Sequence, residues 1–152
     1  MRKKFKFLFS GLLLALTIYY FYPEHQLNST QRVDKIEIYK KDHLLKLFYH
    51  DKAIASYPIS ISKLGLAPKR ICGDNLTPEG TFHLTKRTWS AYHKAIDLGY
   101  GCDVLIHGLK YPWIGKFHRW TDWTLGCVAL TNDEIDEIYN AVENNCIVTI
   151  YP

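Results

Sequence analysis

From Val33 onward the chain alternates in short runs. Ile36 and Ile38 stand between charged neighbours, Leu45 and Leu47 repeat the spacing, and Ile54 to Ile61 makes a third run. A period of two turns one face of an extended strand inward and the other outward, so the pattern commits this region to sheet. Lys41-Asp42 and Asp51-Lys52 fall between the runs as turns, which gives a three-stranded meander. Lys63 to Gly80 is irregular, with two prolines and three glycines, and closes on Thr77-Pro78-Glu79-Gly80. Long ordered loops of this kind often carry function. Thr81 to Lys86, Ala95 to Leu98 and Val104 to His107 read as further strands. Lys110 to Thr124 reads as an aromatic loop, and Cys146 to Tyr151 as a closing strand.

One helix stands out. Thr131 and Glu134 form a capping box, Asp133 and Glu134 suit the positive start, and Ile135, Ile138, Tyr139 and Val142 share an apolar face. With 152 residues there is room for one domain. The expected fold is mostly β (α+β): a β-sandwich or a partly closed barrel with one main C-terminal helix.

The charge is uneven. Arg2, Lys3, Lys4 and Lys6 hold four of the 19 basic residues, and without them 15 basic face 15 acidic residues. The excess is thus confined to the start, which argues against a nucleic-acid partner. Behind it Phe7 to Tyr22 carries no charge, and Tyr19, Tyr20 and Tyr22 suit a membrane interface. Residues 1–23 are therefore expected to be a signal-anchor, 24–32 a linker, and 33–152 a catalytic domain. The bulk of Ile18 to Pro23 favours an uncleaved anchor over a cleaved, secreted form, with the domain on the extracytoplasmic face of the cytoplasmic membrane. There, the four cysteines Cys72, Cys102, Cys127 and Cys146 tend to be paired or put to use. A disulfide between Cys72 and Cys102 and two buried thiols are both open; Cys146, opening an apolar strand, is expected in the core.

Val104 to Leu130 carries the chemistry. Ile106-His107-Gly108 ends a strand, and Thr124-Leu125-Gly126-Cys127 follows the aromatic loop. A thiol needs a neighbouring base to react at neutral pH, and a strand-end histidine supplies one. A carbonyl such as that of Gly108 would orient the imidazole, and Gly126 allows a tight turn whose N–H groups face an oxyanion. Cys127 taken alone would be an ordinary buried cysteine; the surrounding pattern makes it the candidate nucleophile. Trp113 and Trp123 are rim candidates for substrate, His118-Arg119 a candidate clamp for a carboxylate, and Thr124 a further substrate contact. A zinc site of His107, His118, Cys102 and Cys127 is disfavoured, because structural zinc ligands come in close pairs and no C-x-x-C exists. No metal or cofactor is expected.

These residues resemble the L,D-transpeptidase catalytic domain family of the YkuD type. Its signature runs His-Gly, a loop, then Ser/Thr-x-Gly-Cys, matched here by His107, Gly108, Thr124, Gly126 and Cys127. The Thr77-Pro78-Glu79-Gly80 turn resembles one that precedes such sites. A motif ending Gly-Cys-x-Ala before a helix is similar to the YafK-like branch. Leu125 and Ala129 stand where many members carry polar residues. The resemblance implies acyl transfer on peptidoglycan stem peptides: Cys127 attacks the third residue's carbonyl, D-alanine leaves, and an amine resolves the thioester. It also leaves room for a murein amide hydrolase that releases an envelope protein linked to murein. A membrane-tethered module that binds murein without turnover is the non-enzymatic reading.

Overall fold

The computed structural model describes residues 2–22, 25–87 and 91–152, with side chains from Phe9 onward except around the second gap. The expected anchor–linker boundary at Pro23 and Glu24, and the side chains of Arg2, Lys3, Lys4 and Lys6, lie outside the described residues. Helix α1 spans Arg2–Phe21. Among the described residues, no helix is long and apolar enough to cross a membrane.

Strands β1 (Val33–Tyr39), β2 (Leu44–Tyr49) and β3 (Lys52–Pro58) form the expected antiparallel meander. The inward residues of β1 are Val33, Ile36 and Ile38. The step of three between the first two is absorbed by a register shift after Val33, which keeps both side chains inward. On the other side of β1 runs β9 (Val142–Tyr151), parallel to it, and beyond that β4 (Gly80–His83), giving the order β3-β2-β1-β9-β4. A second sheet holds β5 (Thr85–Arg87), β6 (Ala95–Asp97), β7 (Leu105–His107) and β8 (Val128–Ala129) in that order. Both sheets mix parallel and antiparallel pairs, and neither closes into a barrel.

Helix α2 (Asn132–Ala141) begins on the expected capping box, with both reciprocal bonds between Thr131 and Glu134 made. Its Ile135 and Ile138 join Ile36, Ile106, Val128 and Val148 in one continuous core. Val142 ends the helix and opens β9, so Cys146, Val148 and Ile150 alternate into that core.

Two expectations are corrected. Thr81 to Lys86 is not one strand: the chain breaks at Leu84, whose N–H bonds the Cys146 carbonyl, and continues in the other sheet. The aromatic loop is not structureless either. Pro112–Trp120 forms a 3-10 segment, started by a proline and bent at Gly115 with φ +49°. The linker is also bound down. Glu137 of α2 accepts from Tyr57 Oη at 2.6 Å and from the N–H groups of Gln26 and Leu27, and it contacts His25. Burial alone would raise its carboxyl, but these donors outweigh that and hold it below its ordinary pKa.

Candidate active site

His107 ends β7 and is fixed by its neighbours' backbone. Its carbonyl accepts from Leu130 N–H at 3.0 Å, Gly108 N–H reaches the Lys94 carbonyl at 3.2 Å, and Leu109 N–H is held by Asn132 Oδ1 at 2.6 Å. The imidazole Nδ1–H donates to the Gly108 carbonyl at 2.6 Å, which leaves Nε2 as the basic nitrogen. Tyr92 lies 4.7 Å and Trp123 5.9 Å from the ring, centroid to centroid. Burial pushes the imidazole pKa below its ordinary value, against the opposing pull of the Gly108 carbonyl. Gly108 admits no side chain, because a Cβ would meet Asn132 Oδ1 at 2.6 Å.

Cys127 is presented by a turn that the segment after β3 holds at its start. Thr124 N–H bonds the Ile61 carbonyl at 3.0 Å, and its own carbonyl accepts from Lys63 N–H at 3.1 Å. Its hydroxyl donates to the Cys127 carbonyl at 2.7 Å and accepts from Gly126 N–H at 3.3 Å. Gly126 has φ +111°, and a Cβ there would sit 2.6 Å from the Leu76 carbonyl oxygen; only glycine fits that conformation and that approach. Strands β7 and β8 run parallel, pairing Ile106 with Val128 and His107 with Ala129, so Cys127, just before β8, lies level with Leu105 at the start of β7, while His107 ends that strand. The thiol's hydrogen-bond partners among the described residues are backbone groups: it accepts from Leu105 N–H at 3.5 Å and donates to the Asp103 carbonyl at 3.6 Å. Burial raises its pKa above the ordinary value, the Leu105 N–H opposes that, and the charge of Asp103 adds to it.

The long loop from Lys63 to Gly80 backs this turn. Fully buried Lys40 ties it down, donating from Nζ to Glu79 Oε1 and to the Leu66 carbonyl, each at 2.6 Å. Asp74 gathers the loop's middle, accepting from Lys69 Nζ at 2.7 Å and from the N–H groups of Arg70, Ile71 and Leu76. Desolvation would raise the Asp74 carboxyl, but these donors hold it far below the usual carboxylate range. Cys72 and Cys102 are joined in a disulfide, which links this loop to Asp103, the thiol's own neighbour.

The profile of the YkuD L,D-transpeptidase catalytic domain matches residues 34–150. The chain belongs to the L,D-transpeptidase catalytic domain family. YafK of Escherichia coli, named as a candidate L,D-transpeptidase, is 30% identical over 132 residues, covering 77% of this chain and 53% of its own. The chain thus spans about half the length of the curated relatives it matches. In three dimensions it is similar to the helical cell shape determining protein Pgp2 (K307A mutant) of Campylobacter jejuni. The TM-score is 0.63 at 22% identity, over 80% of this chain and 47% of that one. An L,D-transpeptidase from Mycobacterium smegmatis gives 0.59 at 17% identity, over 78% and 58%. These likenesses carry the fold.

Within this L,D-transpeptidase domain Gly108 and Trp123 lie at His107, and Gly126 turns the chain into Cys127 beside the start of the same strand, while two expected substrate contacts take other work. The Thr124 hydroxyl is buried and consumed as donor and acceptor inside the turn. Arg119 is buried in an ion pair with Glu134, the capping residue of α2, so its guanidinium braces a helix start. Trp113 is 71% exposed beside Tyr111. The zinc alternative fails because Cys102 is spent in the disulfide. Asn132 and Tyr92 were not anticipated. Asn132 follows the helix cap and carries no motif of its own, and Tyr92 lies far from the signature in sequence.

Proposed function

We propose that this protein is a peptidoglycan L,D-transpeptidase working through a cysteine acyl-enzyme. The observation that carries the reading is the His107 imidazole, its Nδ1–H held by the Gly108 carbonyl and its Nε2 left basic, on the strand beside the Cys127 turn. In the forward step the thiol proton passes to His107 Nε2 as Sγ bonds the carbonyl carbon of the third stem residue. The tetrahedral oxyanion is met by backbone N–H groups of the turn, that of Cys127 foremost, since Gly126 N–H serves Thr124. The C–N bond breaks, D-alanine takes the proton, and a thioester remains. An acceptor amine then forms the new C–N bond and returns the sulfur as a thiol.

The basic residues at the start and the uncharged run from Phe7 to Tyr22 support a domain held on the outer face of the cytoplasmic membrane. Leu125 and the fully buried Ala129 offer the substrate no polar side chain on either side of Cys127. This favours donor binding through the aromatic loop. Incubating the protein with a disaccharide tetrapeptide tests the reaction. Dimers with a new diamino-acid cross-link, absent with Cys127→Ala, are expected; tripeptide alone would identify a hydrolase, and unchanged substrate a binding module.

A further inference from the structure

Trp113 and Trp120 stand 71% and 67% exposed in the 3-10 segment, with Tyr111 and Ile114 open beside them. These residues are not scattered. A run of ring contacts joins the segment to the C-terminal end of α1, all measured centroid to centroid. Trp120 meets Phe117 at 4.7 Å, Phe117 lies 5.3 Å from Tyr20 and 6.4 Å from Tyr19, and Tyr20 meets Phe21 at 5.0 Å. Trp113 is tied in through its carbonyl, which accepts from Tyr20 Oη at 2.7 Å. Gly115 lets the segment approach Tyr20, whose ring a Cβ there would meet at 2.8 Å. Phe21 and Tyr22, both exposed, complete an aromatic patch drawn from two distant stretches of chain. Apolar surface gathered in this way marks contact with a partner.

The helix that carries the patch indicates the kind of partner. Phe9, Leu12, Leu13, Leu14 and Ile18 of α1 are all exposed. At 3.6 residues per turn they point around the whole circumference, and a helix apolar on every side suits lipid. The sixteen uncharged residues from Phe7 to Tyr22 rise about 24 Å, against a hydrocarbon core of about 30 Å. The helix by itself falls short of a crossing, so in a bilayer its tyrosine end is held among the headgroups rather than above them. Residues packed on that end go down with it. Tyr and Trp rings, apolar in body with one polar atom, gather at that depth. Charge plays the smaller part, because Asp133 and Glu137 share a neighbouring pocket with Tyr20 and Tyr22 and would repel anionic headgroups.

We propose that the 3-10 segment is a lipid-docking face, with Trp113 and Trp120 seated in the headgroup region of the bilayer that holds α1. This rests on the membrane attachment proposed above and adds to it a contact made by the domain itself. The face and the site share a wall. Tyr111 and Phe117 also line the cavity bounded by Tyr92 and Trp123, the two rings against His107.

Full-length protein reconstituted in phosphatidylcholine vesicles tests the face by tryptophan fluorescence. Phosphatidylcholine brominated high on its acyl chain is expected to quench the emission, and to do so more than lipid brominated near the chain end. Trp113→Phe combined with Trp120→Phe leaves two of the four tryptophans and is expected to lose most of that quenching. Each single variant is expected to lose a share of it, which keeps the measurement decisive if the double variant does not fold. Quenching that is absent from the vesicle-bound wild type, strongest from the deep bromine, or unchanged in the folded variants overturns the face. Absent quenching together with emission that changes on dilution into excess lipid assigns the patch to a second copy of the chain, and overturns the face equally. Flotation of the protein with the vesicles after a carbonate wash reports on the attachment separately. Flotation without quenching sinks only the docking face, whereas loss of the protein from the vesicles sinks the attachment and the face together.

Discussion

Burial moves the two groups proposed to react in opposite directions, the His107 imidazole down and the Cys127 thiol up. At neutral pH both moves favour the uncharged forms, so under the proposed mechanism the resting pair would be thiol and imidazole, and proton transfer would accompany attack. The base is active when deprotonated, and a lowered pKa keeps it so to more acid pH. The acid limb of kcat/KM is therefore expected below the ordinary histidine value of 6.5. A limb above 6.5, or alkylation of Cys127 by iodoacetamide titrating below the ordinary thiol value, would indicate a preformed ion pair instead. The two free thiols are expected to separate chemistry from packing. Cys127→Ala abolishes turnover with the melting curve kept, whereas fully buried Cys146→Ala keeps turnover and costs about 1 kcal/mol in a denaturant titration. At this scale the family motif was legible, because His107, Gly108, Gly126 and Cys127 stand in its order within the matched domain; the roles given to them belong to the proposal. Thr124 and Arg119 were expected as substrate contacts, and in the structure each has a protein partner instead. Their partners, the Cys127 carbonyl and Glu134, are set by how the chain turns and packs.

The elements show which local signals survive packing. The meander and α2 could be read because alternation and a capping box are local patterns that burial reinforces. The split between β4 and β5 could not, since Thr81 to Lys86 reads as one run and only the bond from Leu84 to Cys146 marks the crossing. Nor could the 3-10 segment, whose aromatic residues follow no regular period and are sorted by contacts with α1. There Tyr20 stacks on Phe117 at 5.3 Å. The Cys127 turn carries the test at this scale. Thr124→Val preserves shape but leaves Gly126 N–H without its acceptor and the Cys127 carbonyl without its donor. A loss of about 1–3 kcal/mol is expected by thermal or chemical unfolding, together with a fall in kcat at nearly unchanged KM. Thr124→Ser is expected to restore both. A rise in KM alone would return Thr124 to the substrate.

Across the whole molecule, the disulfide joins two stretches that the sheets alone would leave loosely related. Cys72 and Cys102 are 30 residues apart, and closing a loop of that length restricts the unfolded chain by about 3–4 kcal/mol. Replacing both by serine, or reducing the wild type, is expected to lower Tm and to slow carbapenem acylation of Cys127, because Asp103 and the Asp74 loop lose their common tie. Unchanged acylation with a lowered Tm would confine the bridge to stability. The pairing was open in the sequence because spacing says nothing of which loops meet. A second long-range arrangement concerns the start of the chain. Lys116 Nζ donates to the carbonyls of Tyr19 and Tyr22, closing the C-terminal end of α1, while Tyr20 Oη bonds the Trp113 carbonyl. A few residues on, Gln26 pairs with Ser56 through both its amide atoms, and Glu137 grips the backbone beside it. The leading helix is thus tied to the 3-10 segment, and the chain from His25 to Leu27 to β3 and α2. Under the proposed attachment to a membrane, the domain would ride on that helix as on a bracket, and the surface would set the direction in which the site faces.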